Sequence, residues 1–281
     1  MIERIYIPTI KRADMQITFD NLPASLQEKV ILVIDPAERD LYKQNVKLLE
    51  LPKEIIGSWT QLAETRKFIH QHAGIIKYAM FDDDNIIIKR NSKYITGISD
   101  MEKSKRPAES SEILRLFEMA DKFLDEDDIG IVGLSDVMVP PANTEYSDTK
   151  GVFNVLFLDG RKISKIIDDL DTPVRVAEDV LFLLECMSRG INTRMINEFT
   201  YANKSLSSEL KGRRPVWEDI WDDMPKDYFQ TDEHYDAMRI VQYRFPDAIT
   251  IYEEDGRMKN TKHWKKAYKP KETSTLKGFF I

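Results

Sequence analysis

A single cysteine, Cys186, is the whole thiol inventory of this 281-residue chain. One thiol excludes an intrachain disulfide and a thiolate metal cluster. No apolar run approaches a membrane span, and the short, charged start Met1–Pro8 does not fit a signal peptide. A soluble protein suited to a reducing, cytoplasmic setting is therefore expected. There is no internal repeat, low-complexity tract or clear domain linker. No glycine-rich loop follows the first apolar stretch, where Thr9-Ile-Lys-Arg12 stands instead. That argues against a nucleotidyltransferase, which also works with paired Asp and Mg²⁺ but wants a phosphate-cradling loop there. The formal net charge of -7 excludes a general nucleic-acid binder while leaving room for a local basic surface.

What is present reads as an α/β protein with an ordinary core. Ile2–Pro8 predicts a strand, Gln16–Leu22 a short helix, Val30–Ile34 a strand buried on both faces, and Ala37–Gln44 a helix. Ser58 and Gln61 fit a capping box for a helix that stops near Gly74, and Ile75–Phe81 predicts the next strand. Alternating strands and helices argue for parallel pairing. Ser111–Leu124 has an amphipathic helical pattern, Ile129–Leu134, Phe153–Leu158, Ile191–Phe199 and Ile249–Tyr252 read as strands, and Glu233–Tyr243 reads as a helix. Trp217–Trp221 is a further expected helix, Lys204–Arg214 a loop, and Asp100–Ser111 a mobile loop with Lys103, Lys105 and Arg106 at its centre.

The chain's chemistry centres on Asp82-Asp83-Asp84, which directly follows the apolar run ending at Phe81. Three adjacent carboxylates repel one another and need a cation or many donors. In extended chain Asp82 and Asp84 would face one side and Asp83 the other. Oxygen-only ligands favour Mg²⁺ or Mn²⁺, which commonly also bind substrate phosphates. A bare Asp-x-Asp is often a solvated turn or a helix cap. Here, however, Pro8-Thr9, Asp35 and Asp82–Asp84 all fall at the carboxyl ends of predicted strands, where open α/β sheets gather ligands. Glu178-Asp179 opens an apolar helix running to Arg189-Gly190, a place where acids also simply favour the helix dipole. From Arg257 the chain turns basic, with Trp264 and Tyr268 interleaved. Such a run is either a solvated end or a polyanion-binding surface.

This order of motifs resembles the nucleotide-sugar glycosyltransferases of the GT-A fold. The resemblance implies a Rossmann-like mixed sheet flanked by helices, in one main domain with a helical, basic C-terminal extension. Residues 1–100 would form the nucleotide-sugar-binding half, 101–200 the acceptor half and 201–281 the extension. It also implies donor contacts at Pro8, Thr9, Lys11, Arg12, Asp35, Arg66, Asp82 and Asp83. Asp84, Asp82 and His263 would hold Mn²⁺ or Mg²⁺, and Asp179, with Glu178, would supply the catalytic base. The Pro8-Thr9-Ile10-Lys11-Arg12 segment, the Gln16-Ile-Thr that follows it and the triple Asp narrow the likeness to the TET-associated glycosyltransferases. These are bacteriophage enzymes that glycosylate hydroxymethylated pyrimidines, such as 5-hydroxymethylcytosine, in DNA.

The expected function is thus metal-dependent transfer from a nucleotide sugar, a UDP-sugar by analogy, to modified DNA. Lys265, Lys266 and Lys269 would contact the DNA. A glycan or small-molecule acceptor, and a non-catalytic nucleic-acid-binding module, remain the other readings of the same residues.

Overall fold

Strict in–out alternation in the first strands determines which helices can cover the sheet. The computed structural model describes residues 1–42, 45–90, 105–137, 139, 144–171, 173–203, 232–254 and 257–270. The expected helix Trp217–Trp221 and loop Lys204–Arg214 lie outside them, as do residues 100–104 of the expected loop Asp100–Ser111; the rest of that stretch is not loop, since Lys105–Pro107 pairs as a strand and Ser110 opens a helix. The strands are β1 (Arg4–Pro8), β2 (Val30–Ile34), β3 (Lys47–Glu50), β4 (Lys77–Phe81), β5 (Asn85–Arg90) and β6 (Lys105–Pro107). They continue with β7 (Ile129–Asp136), β8 (Tyr146–Asp148), β9 (Val155–Asp159), β10 (Asn192–Asn203), β11 (Ile249–Glu254) and β12 (Arg257–Lys262).

Ten strands form one sheet in the order β3-β2-β1-β4-β9-β7-β10-β5-β6, with β8 on β10, and β11-β12 form a separate hairpin. The parallel pairing argued from strand–helix alternation holds for β3, β2, β1 and β4. It stops at β9, which runs antiparallel to β4. The strand β9 is antiparallel to both of its neighbours, β4 and β7, and parallel pairing returns between β7 and β10, so the sheet is mixed.

On one face Ile5, Ile7, Leu32, Ile34, Ala79 and Phe81 pack against the helix Ser110–Phe123. On the other, Tyr6, Val33, Tyr78 and Met80 meet the helices Gln61–Ala73, Gly160–Asp168 and Glu178–Ser188. The last helix is buried on two sides. Phe182, Leu183 and Cys186 face the sheet, while Val180, Leu181, Leu184 and Met187 face Met238 and Val241 of the helix Asp232–Arg244 and Ile249 of the hairpin. A helix apolar all round needs such double cover.

Several local expectations change. Residues 36–41 are 3₁₀ helix rather than α. The helix at Gln61 has Thr60 as its N-cap, and no capping box forms. Ser58 and Thr60 instead donate to Glu64, while the Gln61 side chain accepts from the Gly57 amide. Asp159-Gly160 is not a free turn, because Asp159 caps the next helix by accepting from the Arg161 amide. The basic segment from Arg257 is folded as far as it is described, to residue 270: Trp264 lies against Gly151 and Phe153, Tyr268 donates to Asp128 at 3.1 Å, and the Lys269 amide donates to the Met187 carbonyl. Trp264 and Tyr268 are therefore packing residues rather than a free stacking surface, while Lys265, Lys266 and Lys269 are exposed.

Candidate active site

The parallel strands β1, β2 and β4 end together, since Pro8 pairs with Val33 and Tyr6 with Met80. This brings Thr9, Asp35 and Asp82 to one edge of the sheet. The three acids occupy a turn rather than extended chain, so strand alternation does not apply to them. Asp83 and Asp84 both approach Arg12, at 2.6 and 3.5 Å, while Asp82 turns to Arg66 at 3.2 Å. The Asp82/Asp84 side expected to face away from Asp83 is therefore not found. Asp82 and Asp84 still lie close enough that the charge of Asp84 helps raise the Asp82 pKa, after burial, with Arg66 opposing.

Arg12 is a structural cation. Its side chain is 4% exposed, and that of Asp83 is 9% exposed. Burial pushes Asp83 up to about 7, although Arg12 opposes it and Thr9 adds a hydrogen bond. Gln16 braces the loop by donating to Thr9 Oγ1 at 3.0 Å and to the Arg12 carbonyl at 2.7 Å. Thr18 fastens the turn from the far side, with its hydroxyl donating to the Asp82 carbonyl at 2.5 Å and accepting from the Asn85 amide at 2.8 Å. Lys11 is exposed with a left-handed φ of 56°, which its amide's bonds to both Glu38 carboxylate oxygens accompany. Asp35 accepts from the Ala37 amide at 2.9 Å, and Pro8 ends β1 half-buried.

Arg66 joins the turn to the second acidic pair. Its Nε lies 3.2 Å from Glu178 Oε1, close in distance but misaligned for a hydrogen bond. Burial works against its charge, yet Asp82, Glu178 and Asp179 together raise its pKa. Glu178 is buried and pushed up to about 7 by burial first and the Asp179 charge second. Asp179 is half-exposed and accepts from the Val180 amide at 2.7 Å. Of the two, Asp179 is the more exposed, whereas Glu178 faces Arg66.

Beside these groups a small pocket is lined by Ala63, Arg66, His70, Met80, Asp179 and Phe182, among others. His70 stacks on Phe182 with ring centroids 4.8 Å apart and pairs with the Tyr78 hydroxyl. Burial, with Arg66 adding to it, pushes His70 down to about 3, so it stays neutral.

His263 bonds within its own hairpin region: its Nε2 is 3.0 Å from Thr250 Oγ1 and its amide donates to the Ala248 carbonyl. It is not brought to Asp82–Asp84 by any of these contacts. His234 and Lys262 both feel the Asp179 charge, while burial lowers their pKa values. Neither was foreseen. Residues 204–255 match no motif, and Lys262 reads as one lysine among many in a basic run.

Among the described residues no three His, Cys, Asp or Glu side chains form a ready metal cage. Two carboxylates with the remaining positions left to water and phosphate is the usual way Mg²⁺ is held beside a phosphorylated substrate. Asp82 and Asp84 fit that pattern in ligand type and mutual proximity.

Residues 3–212 match the family model described as TET-Associated Glycosyltransferase. No curated protein matches the sequence. Among solved structures, Staphylococcus aureus TarS 1–349 in complex with UDP-GlcNAc aligns with TM-score 0.50 and 14% identity, over 88% of this chain and 67% of that one. The mannosyltransferase PcManGT from Pyrobaculum calidifontis, in complex with GDP-Man and Mn²⁺, aligns with TM-score 0.46 and 12% identity, over 86% and 71%. The mixed α/β fold is thus that of GT-A glycosyltransferases.

Two outcomes follow from the buried charges. Arg12→Met should lower unfolding free energy by roughly 3–5 kcal/mol, because it strands Asp83 as a buried, unpaired carboxylate. Denaturant melts should show Asp83→Asn recovering part of that loss when added to Arg12→Met. Glu178 has a folded pKa of about 7, above its ordinary 4.5, so the fold favours its protonated form. The stability it contributes is complete below about 4.5 and is lost as pH rises to about 7. Thermal melts should therefore show the wild type falling relative to Glu178→Gln across that window and running parallel to it above.

Proposed function

The chain belongs to the TET-associated glycosyltransferase family, and on that premise we propose that it transfers a sugar from a nucleotide-sugar donor to the hydroxymethyl group of a modified pyrimidine in DNA. The observation that carries the reading is the meeting of Asp82, Arg66 and Asp179 at the strand ends of a chain matched to this family over residues 3–212.

The donor's nucleotide lies along the strand ends, with Thr9 and Asp35 toward the base and Asp82 toward the ribose and diphosphate. The acceptor hydroxyl oxygen attacks the anomeric carbon and its proton passes to Asp179. The bond from that carbon to the diphosphate breaks, and the electron pair leaves with the diphosphate. Arg66 holds fixed positive charge near the leaving group. It needs no reorganisation, because Asp82 and Glu178 already orient it. Glu178 positions Arg66, and Asp179 is the general base. One displacement of this kind inverts the anomeric centre. Asp82 and Asp84 would hold a divalent cation, Mn²⁺ or Mg²⁺, whose contribution when bound is Lewis-acid stabilisation of the diphosphate. The DNA part of the reading rests on the family and on exposed Lys265, Lys266 and Lys269.

Mass spectrometry of hydroxymethylated DNA after incubation with a panel of nucleotide sugars tests the reaction directly. The expected product is one hexose or pentose per modified base. Transfer to a free sugar but to no DNA would overturn the acceptor assignment. Asp179→Asn should lower kcat by about 10²–10⁴-fold with donor binding kept. Asp84→Asn should lose most turnover while remaining folded, and near-normal turnover by that variant without added metal would remove Asp84 from the metal site.

Phosphate contacts release counterions, so activity on duplex should fall with salt at a log–log slope of roughly -0.9 per contact. Changing Lys265, Lys266 and Lys269 to Gln should flatten that slope and spare donor hydrolysis. An unchanged slope would leave the three lysines as solvated surface.

A further inference from the structure

Trp59 is 65% exposed and packs into none of the three hydrophobic clusters. It is not idle, because the Arg175 guanidinium lies over its ring, 4.5 Å from the centroid. The two residues sit just ahead of the two helices that frame the pocket, Gln61–Ala73 and Glu178–Ser188. The segments are thus joined twice. Arg66 and Glu178 make the inner contact, at 3.2 Å, and Trp59 and Arg175 the outer one. Arg175 also belongs to the segment that carries Asp179, the proton acceptor, rather than to the ends of β1 and β2 where the donor base is expected.

We propose that Trp59 and Arg175 form the stacking platform of the acceptor subsite, which takes the flat face of the modified pyrimidine while Asp179 meets its hydroxymethyl group. The proposal rests on the DNA-acceptor reading above. An enzyme acting on a group carried by a base in duplex must read it in the groove or extract it from the stack, and an extracted base loses its neighbours' faces. An exposed indole replaces one such face, and stacking of this kind tolerates any base because each has a π surface. The guanidinium backs one face of the indole, so the base would take the other, and it carries a positive charge suited to the adjoining phosphate. Lys265, Lys266 and Lys269 would grip the backbone, whereas Trp59 and Arg175 would hold the reacting nucleotide.

The test is steady-state kinetics with an oligonucleotide bearing one 5-hydroxymethylpyrimidine, alongside donor hydrolysis without acceptor. Trp59→Ala should raise the oligonucleotide KM about 5- to 100-fold, leave donor KM and donor hydrolysis unchanged, and melt as the wild type does. Trp59→Phe should restore most of the affinity, and Arg175→Gln should give a smaller rise. An unchanged oligonucleotide KM in Trp59→Ala, with wild type active, overturns the platform alone. A raised donor KM in its place assigns the stack to the donor and also overturns it. A wild type that modifies no hydroxymethylated DNA overturns the acceptor reading itself, and the platform with it.

Discussion

The ion pair between Arg12 and Asp83 is the contact on which the site depends. Three consecutive acids cannot close a turn between two buried strands unless their charge is answered, and Arg12 answers it from inside the protein. Its cost is the desolvation of both partners, which is why the Asp83 pKa rises despite the cation beside it. What the pair secures is direction. With Asp83 drawn inward, the peptide of Asp82 is free to be fastened by Thr18, and the Asp82 side chain is turned toward Arg66.

A second guanidinium repeats the device in a different role. Arg12 is closed off by Asp83 and Asp84, whereas Arg66 spans between Asp82 on the turn and Glu178 on a helix. Two cations thus answer four acids, with Asp83 held tightly by Arg12 at 2.6 Å and Asp84 at a longer 3.5 Å, where its charge still reaches Asp82. Asp179 is left half-exposed beside Arg66, and its charge acts on Lys262 and on His234, whose own charged form burial disfavours. In the same pocket His70 stays neutral against Phe182.

Much of this was legible in the sequence because it rests on local pattern. The continuous apolar run Val30–Ile34, the periodicity of Ile113, Leu116, Phe117 and Ala120, and the acids directly after Phe81 each carry their meaning within a few residues. The long-range pairs were not legible. Nothing near Arg12 says that its partner is 71 positions away, and nothing in Asp82–Asp84 says turn rather than strand until Thr18 is seen to bind it. The capping box at Ser58 failed for a related reason: the right residue types were present, but Glu64 took the hydroxyls. The basic run after Arg257 was misread in part because composition reports charge, while Trp264 over Gly151 reports packing.

The helix Glu178–Ser188 carries one further consequence, for how such a protein can diverge. It begins with the acidic pair and is clasped on both sides, by the sheet through Phe182 and Cys186 and by the outer helix through Leu181 and Leu184. Almost no position along it can change without disturbing one packed surface or the other, so the carboxylates inherit a fixed bearing. Trp59 and Arg175, in the loops just ahead of the two helices, carry less of that obligation, since neither belongs to the hydrophobic clusters that their neighbours Val174 and Val176 help to build. Drift in a lineage of these proteins is therefore steered to the rim: the molecules they recognise can be exchanged while the apparatus that acts on them is handed down unaltered.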